Sequence, residues 1–285
     1  MKEINPVTRR KFFDLLTLLG GGLVLSACGQ ASGPKVENPQ PEPVPSQYPQ
    51  IKLGEETILI LIYPGFTAID ALGPEYILSG MMGAKVRLVS KDGKPVTCET
   101  GYQVVPHFTF RNCPTAPTLL VVPGGTSGTL DAMADRETLQ FLRKVGGAAE
   151  MAGSVCTGSL LLGAAGLLHG YKATSHWQTR ELLPLVGAIP TDERVVIDRN
   201  RITGAGVTAG FDFALRLVQH YRGDFYAKGM ELLAQYDPHP PFPGGGDPKT
   251  ADPDVVALLN EMHKPFVDLC ADAIQQNKLP PIQNP

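Results

Sequence analysis

Apolar and polar positions divide the chain into three unequal parts. Residues 15–27 form a short apolar run without a charge. Residues 29–50 hold few apolar side chains, and Pro34, Pro39, Pro41, Pro43, Pro45 and Pro49 recur among polar ones. From Ile51 onward the pattern is that of a folded protein. Residues 57–63 (TILILIY) are a continuous apolar run rich in β-branched side chains, which predicts a buried parallel strand. Residues 85–89, 118–122 and 153–155 predict further buried strands. Helical spacing falls between them at 68–80, 136–145 and 158–168, and again at 209–221. Residues 194–197 and 201–203 predict a hairpin turning at Asp198-Arg199-Asn200. Two more helical patterns flank a Pro- and Gly-rich loop at 237–253. Strands alternating with helices predict an α/β domain with a mainly parallel sheet, covered on both faces.

The first two parts fit export rather than folding. Lys2, Arg9, Arg10 and Lys11 precede the apolar run, which is far shorter than the roughly 20 residues that span a bilayer and suits a signal peptide. Thr8-Arg9-Arg10-Lys11-Phe12-Phe13 resembles a twin-arginine signal, although Asp14 departs from its usual pattern and general secretion is the alternative. Leu25-Ser26-Ala27-Cys28 resembles a bacterial lipobox, which implies cleavage before Cys28 and acylation of that cysteine. An ordinary signal peptide with an incidental cysteine is the alternative. The expectation is therefore a signal peptide at 1–27, a lipid-anchored, proline-stiffened tether at 28–50 and one α/β domain at 51–285. Such a protein would sit on the periplasmic side of a bacterial membrane.

Charge excludes one class of partner. The formal net charge is -3 over 285 residues, and the only basic cluster lies in the leader, so no nucleic-acid partner is expected. The six histidines, at 107, 169, 176, 220, 239 and 263, are scattered, so no metal is expected. Apart from Cys28, the cysteines at 98, 113, 156 and 270 are too sparse for a disulfide scaffold, and a Cys98–Cys113 bridge stays open.

Three segments carry candidate chemistry. Gly153-Ser154-Val155-Cys156-Thr157-Gly158 places a cysteine between small residues where a strand hands over to a helix, the logic of a nucleophile elbow. A helix start beyond the cysteine favours its thiolate. The plain alternative is an inert core cysteine. Residues 119–128 (LLVVPGGTSG) run a strand into a glycine turn, where Gly124 and Gly125 could present N–H groups to an anion or simply make a tight turn. Asp70 lies in the apolar context of residues 65–74 (GFTAIDALGP) and needs a partner, unless it merely caps a helix.

Together with GSVCTGSLLLGAAGLLHGYKATSHW and GVTAGFDFALRLV, these segments resemble the ThiJ/PfpI superfamily from residue 57 to about 250. The resemblance implies a flavodoxin-like three-layer sandwich and a homodimer. Thr157 after the cysteine and residues 233–245 (LAQYDPHPPFPGG) resemble the isonitrile hydratase branch, whereas protease-like members have a histidine after the cysteine. For this chain it implies Cys156 as nucleophile and Asp70 as the carboxyl on its sulfur. It also implies oxyanion donors from the N–H groups of Thr157 and Gly125. His176 aligns with a histidine near the pocket, either moving a proton or shaping a wall. The implied substrate is a small electrophilic carbon compound, hydrated by a hydro-lyase without a cofactor. Glyoxalase or deglycase activity and a non-catalytic binding lipoprotein are the alternatives.

Overall fold

The computed structural model describes residues 51–282. The leader, Cys28 and the tether expected at its N-terminus lie outside the described residues. Within them, seven strands form one sheet in the order β10-β11-β7-β6-β1-β2-β5. These are β1 (Thr57–Leu61), β2 (Lys85–Ser90), β5 (Phe108–Thr109), β6 (Leu119–Val122), β7 (Met151–Val155), β10 (Val195–Asp198) and β11 (Arg201–Gly204). All neighbours run parallel except β10, which folds back on β11 as a hairpin. Arg199, at that turn, has a φ of 53°. Two-residue strands form side pairs: β3 (Val96–Thr97) with β4 (Gln103–Val104), and β8 (Lys172–Ala173) with β9 (Ile189–Pro190).

Apolar runs become strands because both faces of the sheet are covered. Ile58 to Leu61 and Leu119 to Val122 are fully buried. Each such side chain contributes about 1.5–3 kcal/mol. In β7, neighbouring residues point to opposite layers. Gly153 faces α5 (Ala209–Arg222), where an added Cβ would lie 2.7 Å from Phe213 Cζ. Ala152 faces α3 (Arg136–Ala148), its Cβ 3.9 Å from where one on Gly146 would lie. The fold is the expected flavodoxin-like three-layer sandwich. Helix α1 (Ala68–Leu78) packs with α5 on one side, while α3 and α4 (Gly158–Ala164) cover β6 and β7. The remaining α-helices are α2 (Ser127–Ala134), α6 (Asp224–Leu233) and α7 (Pro253–Asn277), and a 3-10 helix spans Arg180–Val186. The described residues belong to one compact unit.

Topology fixes where a ligand can enter. From β1 the chain moves outward to β2, whereas from β6 it moves the other way to β7. The loops leaving β1 and β6 therefore diverge, opening a crevice at the carboxyl ends of the strands. Thr67 N–H to Gly124 O, at 2.8 Å, and a bridge between Phe66 and Gly125 tie the floor of that crevice.

Candidate active site

Strand β7 ends at Val155, α4 begins at Gly158, and Cys156 makes the bend with a φ of 59°. A side chain in the left-handed region costs about 1–2 kcal/mol, so the bend must be held from outside. Cys156 N–H donates to Ala205 O at 2.8 Å and to Gly204 O at 3.1 Å. Its carbonyl accepts from Ser159 Oγ at 3.1 Å and Ser175 Oγ at 3.2 Å. Gly158 is required because a Cβ there would collide with the Val122 carbonyl.

The sulfur is almost enclosed, with Cys156 only 6% exposed. Asp70, in the first turn of α1, is fully buried beside it. Asp70 Oδ2 accepts the Gly124 N–H at 3.0 Å. Oδ1 has no hydrogen-bond partner of ordinary geometry, so the thiol is a loosely held polar neighbour of the carboxyl. Burial raises the Asp70 pKa to about 7; Glu99 adds to the rise, while the Gly124 amide and the thiol oppose it. Glu99 is held nearby by Thr67 Oγ1 at 2.8 Å.

The expected thiolate is corrected here. Burial, and then the Asp70 carboxylate, push the Cys156 thiol well above its usual range, although the amides of Thr157 and Val207 favour the anion. Helix α4 is only 7 residues long, too short for its positive end to offset full desolvation. At rest the pair is a neutral thiol beside a carboxyl that titrates near neutrality, and its protons belong to both groups.

The glycine turn also differs from the expected open oxyanion hole. Gly124 N–H is on Asp70, and Gly125 N–H donates to Thr157 Oγ1 at 3.0 Å. Buried amides pair with whatever acceptor is at hand, and Thr157 supplies one. The Thr157 N–H, expected as an oxyanion donor, faces the sulfur.

His176 follows Ser175, whose hydroxyl holds the Cys156 carbonyl. It lines a cavity of about 380 Å³ with Trp177, Val207 and residues 246–249 of the Pro/Gly-rich loop, so that loop does border a pocket. A Cβ on Gly206 would lie 3.3 Å from the His176 ring. Burial, aided by His263, lowers its pKa to about 4, leaving a neutral imidazole suited to hydrogen bonding. Cys98, Cys113 and Cys270 are free buried thiols, so the bridge left open is not formed. Among the described residues no group of three or more His, Cys, Asp or Glu is placed to hold a metal ion.

Sequence reasoning missed Val207 and Glu99. Val207 contributes a backbone amide, which no side-chain motif reports. The small residues Gly204-Ala205-Gly206 before it were the available sign of a loop pressed against the elbow.

Comparison with known proteins places this geometry among relatives. The DJ-1/PfpI family profile matches residues 56–220. The isonitrile hydratase of Pseudomonas putida is 46% identical over 209 residues, which is 73% of this chain and 90% of that protein. A ThiJ/PfpI family protein from Pseudomonas syringae, solved by crystallography, is 47% identical with a TM-score of 0.78, covering 82% of this chain and 98% of that one. The glutathione-independent glyoxalase DJR-1.2 of Caenorhabditis elegans is 27% identical over 176 residues, which is 59% of this chain and 90% of that protein.

Proposed function

Because this chain belongs to the DJ-1/PfpI family, we propose that it is a cysteine-dependent hydratase of small isonitriles. The observation that carries the proposal is Cys156 at a positive-φ elbow with the fully buried Asp70 carboxyl beside its sulfur. The 46% identical isonitrile hydratase supports the substrate class.

The chemistry follows from the pair. An isonitrile, R–N≡C, is electrophilic at its terminal carbon. Ionised Asp70 takes the thiol proton as sulfur attacks that carbon, then returns the proton to the same carbon, giving the thioimidate R–N=CH–S–Cys156. Water adds across the C=N bond, its proton going to nitrogen. The tetrahedral adduct R–NH–CH(OH)–S–Cys156 collapses to the formamide R–NH–CHO, and sulfur leaves with the hydroxyl proton, passed through Asp70. A carboxyl with a pKa near 7 suits both transfers. The amides of Thr157 and Val207 stabilise the departing thiolate.

The test is turnover by the purified full chain of a small aryl isonitrile, followed as formamide, beside methylglyoxal. Isonitrile hydration faster than methylglyoxal conversion is expected. The reverse order moves the chain to the glyoxalase reading, and no turnover of either removes the enzymatic one.

Gly124 offers a second check. A Cβ there would lie 2.6 Å from Thr157 Oγ1 and 2.9 Å from Asp70 Oδ2. Gly124→Ala is therefore expected to lower kcat/KM about 100-fold by displacing the acid. Activity near that of the wild type would show that Asp70 need not stay where it is.

A further inference from the structure

Behind Thr157 lies a row of buried hydroxyls that the reaction as written does not use. Tyr63, Thr129 and Thr157 are 5%, 0% and 4% exposed. Thr129 Oγ1 is 2.9 Å from Thr157 Oγ1 and 3.3 Å from the Tyr63 hydroxyl. Tyr63 donates to Pro123 O at 2.9 Å, and Thr129 donates to Gly125 O at 2.6 Å. Thr157 Oγ1 lies 2.9 Å from Gly125 O while it accepts the Gly125 N–H. The row thus ends on both backbone polar atoms of one residue of the glycine turn, Gly125.

The hydrogens can be followed one by one. When the tetrahedral adduct collapses, its hydroxyl gives up its proton to Asp70 as sulfur leaves, negative charge develops on that oxygen, and Gly125 N–H serves it only by leaving Thr157 Oγ1. A buried hydroxyl oxygen that loses its donor is destabilising unless another replaces it. Here another is at hand. Thr129 can turn its proton from Gly125 O to Thr157 Oγ1, and Tyr63 can turn its own from Pro123 O to Thr129 Oγ1. Thr157 meanwhile keeps its proton on Gly125 O. Within the row of hydroxyls only C–O bonds rotate and no proton leaves its oxygen. The unpaired group ends as a carbonyl lone pair on Pro123.

We propose that Tyr63 and Thr129 form a hydroxyl relay that frees the Gly125 N–H for the oxygen formed on the Cys156-bound carbon. Both are positioning residues, acting through Thr157. The inference rests on the hydratase reading only in requiring an oxygen on a carbon that Cys156 has attacked.

The experiment compares the full chain with Thr129→Val, Thr129→Ser and Tyr63→Phe. Two quantities are read: isonitrile turnover, and the affinity for butanal, which adds to Cys156 as a hemithioacetal whose oxygen occupies the same place. Thr129→Val is expected to lower kcat and aldehyde affinity about tenfold with KM unmoved, a smaller loss than removing an oxyanion donor itself. Tyr63→Phe should follow in the same direction, and Thr129→Ser should restore both quantities. A Thr129→Val protein within about twofold of wild type overturns the relay, as does Thr129→Ser falling with it, since methyl packing would then be the cause. If Thr129→Val does not fold, Tyr63→Phe decides alone: an unchanged kcat and aldehyde affinity overturns the relay. A wild type that hydrates no isonitrile, yet binds butanal more tightly than the Thr129→Val and Tyr63→Phe proteins, sinks the hydratase reading and leaves the relay standing. A wild type with no affinity for butanal sinks the relay.

Discussion

An Asp70→Asn protein is expected to lose about 10²- to 10⁴-fold in kcat/KM, the usual worth of a positioned acid–base group. It is also expected to be more stable than the wild type above pH 7. Both effects have one source. Burial holds the Asp70 carboxyl near 7 rather than at its ordinary 3.8. A carboxyl whose pKa rises on folding binds its proton more tightly in the folded state. Its contribution to stability is full below about 3.8 and is lost as pH climbs through about 7. The shift is about three units at roughly 1.4 kcal/mol each, an upper bound of order 4 kcal/mol. An asparagine keeps the Gly124 contact but leaves an amide hydrogen facing sulfur, so a gain of about 1–3 kcal/mol is expected. Denaturant unfolding of the two proteins at pH 5.5 and pH 8 reads it directly. A gap that does not widen at the higher pH would contradict the buried, near-neutral carboxyl.

The same carboxyl sets the pH profile. Below about 7 both the thiol and Asp70 hold protons, and sulfur has no acceptor for its own. The wild-type kcat/KM is expected to rise through pH 7 to a plateau, and in Asp70→Asn that inflection should vanish.

Removing the sulfur has the other large effect on rate. Cys156→Ala is expected to lower turnover by at least about 10³-fold, because the covalent route ends with the nucleophile. The melting temperature should move by only a few degrees, since alanine fits the same bend and removes a single atom. Cys156→Ser should be nearly as inactive: a carboxyl titrating near 7 cannot draw a proton from an alcohol. Serine activity close to that of cysteine would mean that ionisation of sulfur does not drive the reaction.

Much of the fold was legible in the sequence for a simple reason. Strands β1, β6 and β7 are buried on both faces, so their residues are almost uniformly apolar or small. Helix α2 was not legible, because its sequence SGTLDAMA is mostly small and polar. The pattern from 158 onward suggested a helix to Leu168, whereas α4 stops at Ala164. Gly166 there takes a φ of 83°, which ends the helix. Two-residue strands such as β3 and β8 exist only because a partner lies beside them, and no periodicity marks them.

In the site, Cys156 and Asp70 could be read because each sits in a local motif. Their protonation could not. The helix start argued for a thiolate, but the neutral thiol follows from packing by loops distant in the chain. Val207 reaches the elbow because β11 lies beside β7, and Thr129 reaches Thr157 because α2 folds over the glycine turn. Backbone amides and hydroxyls delivered by topology leave no signature in residue type.

The most direct measurement is the mass of the protein itself during turnover. The wild-type full chain would be mixed with an aryl isonitrile, quenched within milliseconds and digested. A peptide containing Cys156 heavier by one substrate molecule, appearing and then decaying as formamide accumulates, is the predicted result, with no such species in Cys156→Ala. Formamide released at the wild-type rate by Cys156→Ala would contradict a reaction carried by that sulfur.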